Sequence, residues 1–191
     1  MIHRWQTGHF TTSYSQTVED YHVHRHVHLG HVVNIGIIDM GGGDNFPGML
    51  NLYITQSESF VFLYDVTDVE SVDKIEMLLE QVVCSRQQSI TASARPLFTI
   101  VGTKADKTGH ITSGRVEQLL NKIYAFQPNH VITSAKTGAN VMECFEELCT
   151  SVTARVSPNA DIITNFFRQK KSTKNKCLRL LRRLVCCCRQ Q

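Results

Sequence analysis

Leu97-Phe98-Thr99-Ile100-Val101, followed by Gly102-Thr103-Lys104-Ala105-Asp106, sets a short apolar run directly ahead of a polar turn. A run of that length without alternation is what a strand buried on both faces of a sheet looks like. Phe60-Val61-Phe62-Leu63-Tyr64-Asp65 has the same character and also ends on a carboxylate. Between them lies Ser71–Val83, with Val72, Ile75, Leu78, Leu79 and Val82 at helical spacing. Strand, helix, strand in this order predicts a parallel pair and an α/β fold.

The pattern extends in both directions. Tyr21–Leu29 alternates as a strand, Gly30 marks a turn, and Val32–Asp39 returns, which predicts an antiparallel hairpin. Downstream, Arg115–Ala125 reads as a helix, His130–Thr133 as a strand and Val141–Ala154 as an amphipathic helix. Ser85–Arg95 is polar and reads as a loop. From Pro158 onward no internal core is legible. The expected organisation is a domain over 1–156 and a tail over 157–191.

Composition bounds the class. The 191 residues suffice for one core plus a tail, and no run of about 18 apolar residues suggests a membrane span. The first thirty residues have no signal-peptide core, so the expected setting is intracellular. From Arg168 onward there are nine basic residues and no acids, leaving 11 basic against 17 acidic in residues 1–167. An acidic domain with a basic tail points to an anionic partner for the tail alone. The seven cysteines are odd in number and three are adjacent, which argues against a disulfide framework or a paired zinc motif.

In open α/β sheets, ligands bind where the strands end. Asp39-Met40-Gly41-Gly42-Gly43-Asp44 follows the second strand, Thr103-Lys104-Ala105-Asp106 the fourth, and Ser134-Ala135-Lys136 the last. Tyr14-Ser15-Gln16-Thr17-Val18-Glu19-Asp20 precedes the first. Singly, each is an ordinary turn. Together, in this order, they resemble the Ras family of small GTPases. Phe46-Pro47-Gly48-Met49 with Leu52 and Ile54 is similar to the second switch of Di-Ras and Rhes proteins. The resemblance spans roughly residues 1–156.

The resemblance implies a P-loop NTPase-like G domain, with a mixed, mostly parallel sheet and helices on both faces. It implies GTP or GDP and Mg²⁺ as ligands. Asp106 would accept hydrogen bonds from guanine's ring N–H and amine, the stem of Lys104 would cover the base, and Ala135 N–H would meet the carbonyl. Thr103, Ser134 and Lys136 complete that guanine-binding set. A polar site left unpaired by adenine discriminates strongly against it. Thr17 and Asp39 would serve the metal ion, and Gly42 N–H the γ-phosphate. Tyr14, Thr17, Val18, Glu19 and Asp20 would face effector proteins. Gly43 stands where the family has its hydrolytic glutamine, so no catalytic residue is assigned and intrinsic hydrolysis is expected to be very slow. Gln16 and Thr103 are further departures, at positions where the family favours proline and asparagine.

No G-x-x-x-x-G-K-[ST] occurs in the sequence. Aligned on the family, Met1 falls within the first helix, so the first strand, the phosphate cradle and its lysine are expected to be missing. That strand is central in the family, and its loss would leave two apolar strands with bare edges. Unpaired buried backbone groups cost about 1–3 kcal/mol each. One expectation is a truncated product of a longer gene. The other is a pseudo-GTPase, a nucleotide-independent binding module whose sheet has closed around the gap.

Cys177–Cys188 carries a helical stripe, with Cys177, Leu178, Leu181, Leu184, Val185 and Cys188 opposite Arg179, Arg182 and Arg183. It reads as an amphipathic helix on an anionic membrane. Each basic residue adds about 1 kcal/mol there, and palmitoylation of Cys186, Cys187 or Cys188 about 0.8 kcal/mol per buried methylene. The bland alternative is a nucleic-acid-binding or nuclear-import tail. Cys188-Arg189-Gln190-Gln191 has the outline of a prenylation box but lacks its aliphatic residues. The expected location is the cytoplasmic face of the plasma membrane, with effector proteins as partners, no nucleic acid and a monomeric state. His22, His24, His26 and His28 alternate, with neighbours about 6.6 Å apart on one face. That row reads first as the solvent side of an edge hairpin and second as a transition-metal chelate.

Overall fold

A computed structural model describes residues 1–13, 19–41, 47–87, 96–155 and 181–188. Among the described residues, six strands form one sheet in the order β1-β2-β6-β3-β4-β5. The strands are β1 (Glu19–His28), β2 (His31–Gly41), β3 (Ser59–Asp65), β4 (Leu97–Thr103), β5 (Asn129–Ile132) and β6 (Leu181–Cys188). The helices are α1 (Ile2–Thr7), α2 (Pro47–Gln56), α3 (Val69–Gln87), α4 (Ser113–Lys122) and α5 (Val141–Ala154). Between β1 and α5 the predicted strands and helices are present, with α3 running on to Gln87, into the stretch from Ser85 that the sequence reads as a loop. The helix expected over Arg115–Ala125 ends at Lys122 and gives way to a 3₁₀ turn at Tyr124–Phe126.

Two cores cover the two faces of the sheet. Ile38, Phe60, Phe62, Tyr64, Phe98 and Ile100 pack beneath α2, α3 and α4. Val33, Ile35, Ile37, Val61, Leu63 and Val101 pack beneath α1 and α5, against Trp5, Phe145 and Leu148. Alternate residues of β3 thus enter opposite cores, which explains its unbroken apolar reading. Phe60, Phe62 and Phe98 form an aromatic cluster with ring centroids 5.9–6.4 Å apart, within the favoured range for tilted pairs.

The tail departs from expectation. Leu181–Cys188 is a strand, and it lies in the middle of the sheet. It runs parallel to β2, with Ile38 opposite Val185, and parallel to β3, with Phe60 opposite that same Val185. The bare edges expected of Val32–Asp39 and Phe60–Asp65 are accordingly paired. The physical reason is backbone satisfaction. Buried N–H and C=O groups on both neighbours need partners, and the strand that supplies them carries the apolar Leu184-Val185 at its middle. Over only eight residues, a helical stripe and a short strand cannot be told apart by periodicity alone.

The histidine row is a second correction. It does not form the solvent side of the hairpin. His24 is half-buried and His26 is 9 % exposed, both turned toward α1 and α5. The opposite side of β1 carries Tyr21, Val23 and Val27, exposed at 48, 54 and 64 %. Pairing with β2 decides this, because His24 lies opposite Ile35 and His22 opposite Ile37, both fully buried under α5. Cross-strand neighbours share a face.

Candidate functional site

β3, β4 and β5 are parallel, and Asp65 and Thr103 are paired at their common carboxyl end. The chain leaves β4 through Thr103, whose hydroxyl donates to Tyr64 O at 2.7 Å. Lys104 then takes a left-handed conformation, φ 63°. A non-glycine residue at positive φ carries strain of about 1 kcal/mol or more and persists only where its surroundings hold it. Here Lys107 N donates to Lys104 O at 2.9 Å. The Lys104 ammonium lies 2.8 Å from the Asp65 carboxylate.

Asp106 follows, and its partner comes from the next loop. Ser134 Oγ donates to Asp106 Oδ1 at 2.5 Å, while accepting from Thr137 N at 3.2 Å. Lys136 Nζ stands 3.9 Å from the other carboxylate oxygen. The Ser134 hydroxyl first, with the Lys136 and Lys107 charges adding to it, holds the Asp106 carboxyl below its ordinary range. The loop carrying Ser134 is closed on itself by Ser134 N to Ala139 O at 3.0 Å and Gly138 N to Ser134 O at 2.8 Å. Ala105 N donates to Thr133 O at 3.1 Å, tying the two loops together. An acceptor-only carboxylate is therefore presented, fixed and ionised, beside Lys104, Ala135 and Lys136.

Asp65 is the residue that sequence reading missed. Burial raises its pKa, but the Lys104 ammonium and the Thr67 N–H and hydroxyl outweigh this and hold it down to about 2. Lys107 lies 3.6 Å away and adds to the clamp. The signal was present: the Phe60–Asp65 run ends on an acid at the level where the fourth strand turns into Thr103-Lys104.

The other expected site residues are dispersed or lie elsewhere. Asp39 lies two residues before the end of β2, half-buried, opposite Asp20 at the start of β1. Glu19 and Asp20 are exposed. Glu19 accepts a hydrogen bond from the Tyr53 hydroxyl of α2, and Asp20 lies 3.4 Å from His22. Tyr14, Thr17 and Val18 lie outside the described residues, as do Gly42 and Gly43. Cys186, Cys187 and Cys188 are strand residues of β6, level with Val61, Phe62 and Leu63.

Helices on both faces of a mostly parallel sheet, with a fixed aspartate and a lysine at the ends of its strands, define an α/β domain of the P-loop NTPase-like class. Its family is Ras, to which the chain belongs: the Ras family model matches residues 1–154. Among its relatives is the mouse GTP-binding protein Di-Ras1, 30 % identical over 182 residues, which are 92 % of this chain and 83 % of the relative. Another is the Ras-like protein rasB of Dictyostelium discoideum, 27 % identical over 147 residues, 76 % of this chain and 71 % of the relative.

Proposed function

We propose that this protein is a guanine-nucleotide-binding signalling protein with little or no intrinsic GTP hydrolysis, acting on the cytoplasmic face of a membrane. The observation that carries the reading is the ionised Asp106, fixed by Ser134 beside Lys104 and Lys136. Guanine fits this group. Its ring N–H and exocyclic amine are two donors facing one acceptor-only carboxylate. Ala135 N–H would serve the carbonyl of the base. Charge-assisted hydrogen bonds of this kind are the strong ones. In this reading Thr17 and Asp39 hold Mg²⁺, Gly42 meets the γ-phosphate, and Gly43 leaves the attacking water unoriented. Tyr14–Asp20 presents the surface for effector proteins.

Binding of fluorescent GDP to the full chain tests the base assignment. Asp106→Asn replaces an acceptor by a side-chain amide, which matches xanthine's C2 carbonyl instead of guanine's amine. The expected result is loss of GDP binding and gain of xanthosine diphosphate binding. No exchange of preference would reject the role of Asp106.

The position of β6 favours a second reading, a nucleotide-independent module that displays Glu19 and Asp20. It requires partner capture indifferent to GTP, Mg²⁺ and Asp106→Asn. Membrane anchoring is proposed through acylation of Cys186, Cys187 or Cys188. It is tested by intact mass of membrane-extracted protein before and after hydroxylamine, which removes thioester-linked acyl groups. An unmodified chain absent from membranes would reject the anchor.

A further inference from the structure

Away from the guanine loops, the hairpin and the last helix bring three metal-type donors together. His24 and His26 point from β1 toward α5, where Cys149 meets them. One donor atom from each lies within 4.8 Å of the others. Cys149 is 1 % exposed and is not in a disulfide. Among the described residues, the His24 ring and the Cys149 thiol make no hydrogen bond. Glu146, one turn before Cys149 on α5, sets its carboxylate 3.9 Å from His26 Nδ1 and is half-exposed. Trp5 lies over His24 with ring centroids 4.3 Å apart, and on its other side stacks on Phe145 at 4.4 Å.

We propose that His24, His26 and Cys149 form a structural site for a borderline-soft divalent cation of the zinc type, closed on its solvent side by Glu146. Two imidazoles and a thiolate are the donor set that such an ion selects over magnesium or calcium. Zn–N distances of about 2.0–2.1 Å and Zn–S of about 2.3 Å place tetrahedral ligands about 3.3–3.6 Å apart. The donors therefore need only a small inward rotation. His24 and His26 are two residues apart on one strand, which aligns their rings, with centroids 6.2 Å apart. Cys149 comes from the helix packed over them. Binding exchanges the thiol proton, released to solvent, for a metal–sulfur bond with no change of oxidation state.

Neighbouring polar groups do not compete. His22 is engaged by Asp20 at 3.4 Å. The His28 ring centroid is 6.5 Å from that of His26, further along the hairpin. The bound ion would staple the edge hairpin, which begins with Glu19 and Asp20, to α5. That cross-link joins segments more than a hundred residues apart in sequence, where closing the loop counts most.

The test is Co²⁺ added to reduced, metal-free full-length protein. Trp5 is the single tryptophan of the chain and lies against His24, so its emission responds to an ion bound beside it. One equivalent of Co²⁺ is expected to quench Trp5 and to give a near-ultraviolet thiolate-to-cobalt band, and Zn²⁺ is expected to reverse both. His24→Gln and Cys149→Ser should each abolish the Trp5 quenching. His24→Gln alters a half-buried ring and guards against a fold defect from the buried cysteine. An unshifted Trp5 emission maximum without metal certifies each variant as folded. Quenching that persists in both variants would place the ion on other donors and overturn the proposal. So would the failure of one equivalent to quench wild-type Trp5.

Discussion

Ser134 Oγ lies 2.5 Å from Asp106 Oδ1 and bridges the loops that leave β4 and β5. The bond fixes the carboxylate in place and keeps it ionised. Ser134→Ala should therefore weaken GDP binding while leaving the fold intact. A hydrogen bond to a charged group is worth about 1.5–3 kcal/mol, so a loss of affinity of roughly tenfold or more is expected in a fluorescence titration. An unchanged affinity would mean that Asp106 is positioned by something other than Ser134.

Asp65 links stability to pH. Its folded pKa, about 2, lies below that of an unfolded aspartate, so its contribution is fully present above about pH 4 and is lost as pH falls toward 2. Asp65→Asn is expected to cost about 2 kcal/mol at neutral pH by urea denaturation. The gap between variant and wild type should close progressively below pH 4. A gap independent of pH would locate the effect in packing and not in the Lys104–Asp65 pair.

Two glycines of the sheet, Gly102 in β4 and Gly36 in β2, should respond differently to alanine. A Cβ on Gly102 would meet Tyr64 Oη at 2.7 Å and Cζ at 2.9 Å, and Tyr64 is 2 % exposed with its hydroxyl 3.0 Å from His130 Nε2. A Cβ on Gly36 would meet the Tyr21 hydroxyl at 2.6 Å, but Tyr21 is 48 % exposed and can swing outward. Gly102→Ala should cost about 1–3 kcal/mol, as overpacking does, and Gly36→Ala clearly less. Equal costs in thermal melts would contradict this assignment of Tyr64 as locked and Tyr21 as free.

Val185 stands between Ile38 and Phe60. Proline there removes a ladder donor from a central strand, so Val185→Pro should cost about 3 kcal/mol or more and erase amide-exchange protection over 181–188. A neutral result would mean that β6 is not seated in the sheet in solution. Because Cys186, Cys187 and Cys188 belong to the same strand, an acylated tail lying on a membrane must first leave the sheet. Acylated protein should accordingly unfold at a lower denaturant concentration than the unmodified chain.

Much of the candidate site was legible because its parts are local. Thr103-Lys104-Ala105-Asp106 and Ser134-Ala135-Lys136 each follow an apolar strand, and parallel strands bring their ends to one edge of the sheet. The clamp of Lys104 by Asp65 was not legible, because it depends on the register Asp65 to Thr103 between strands with a nineteen-residue helix between them. The triad of His24, His26 and Cys149 was half legible. Alternation put the histidines on one face, but the cysteine comes from the far end of the domain.

By itself the sequence determined the strands β1 to β5, the helices α3, α4 and α5, and which polar turns stand at the strand ends. Periodicity and apolar run length are properties of neighbouring residues and survive without a fold. Only the tertiary structure decided which face of β1 turns inward and what fills the place between β2 and β3. Period-two alternation says that two faces differ, not which one is covered, and α5 settled that from 120 residues away. The choice of Leu181–Cys188 as the central strand follows the same logic. Two buried strands required backbone partners, and that need belongs to the assembled sheet and not to any single stretch of chain.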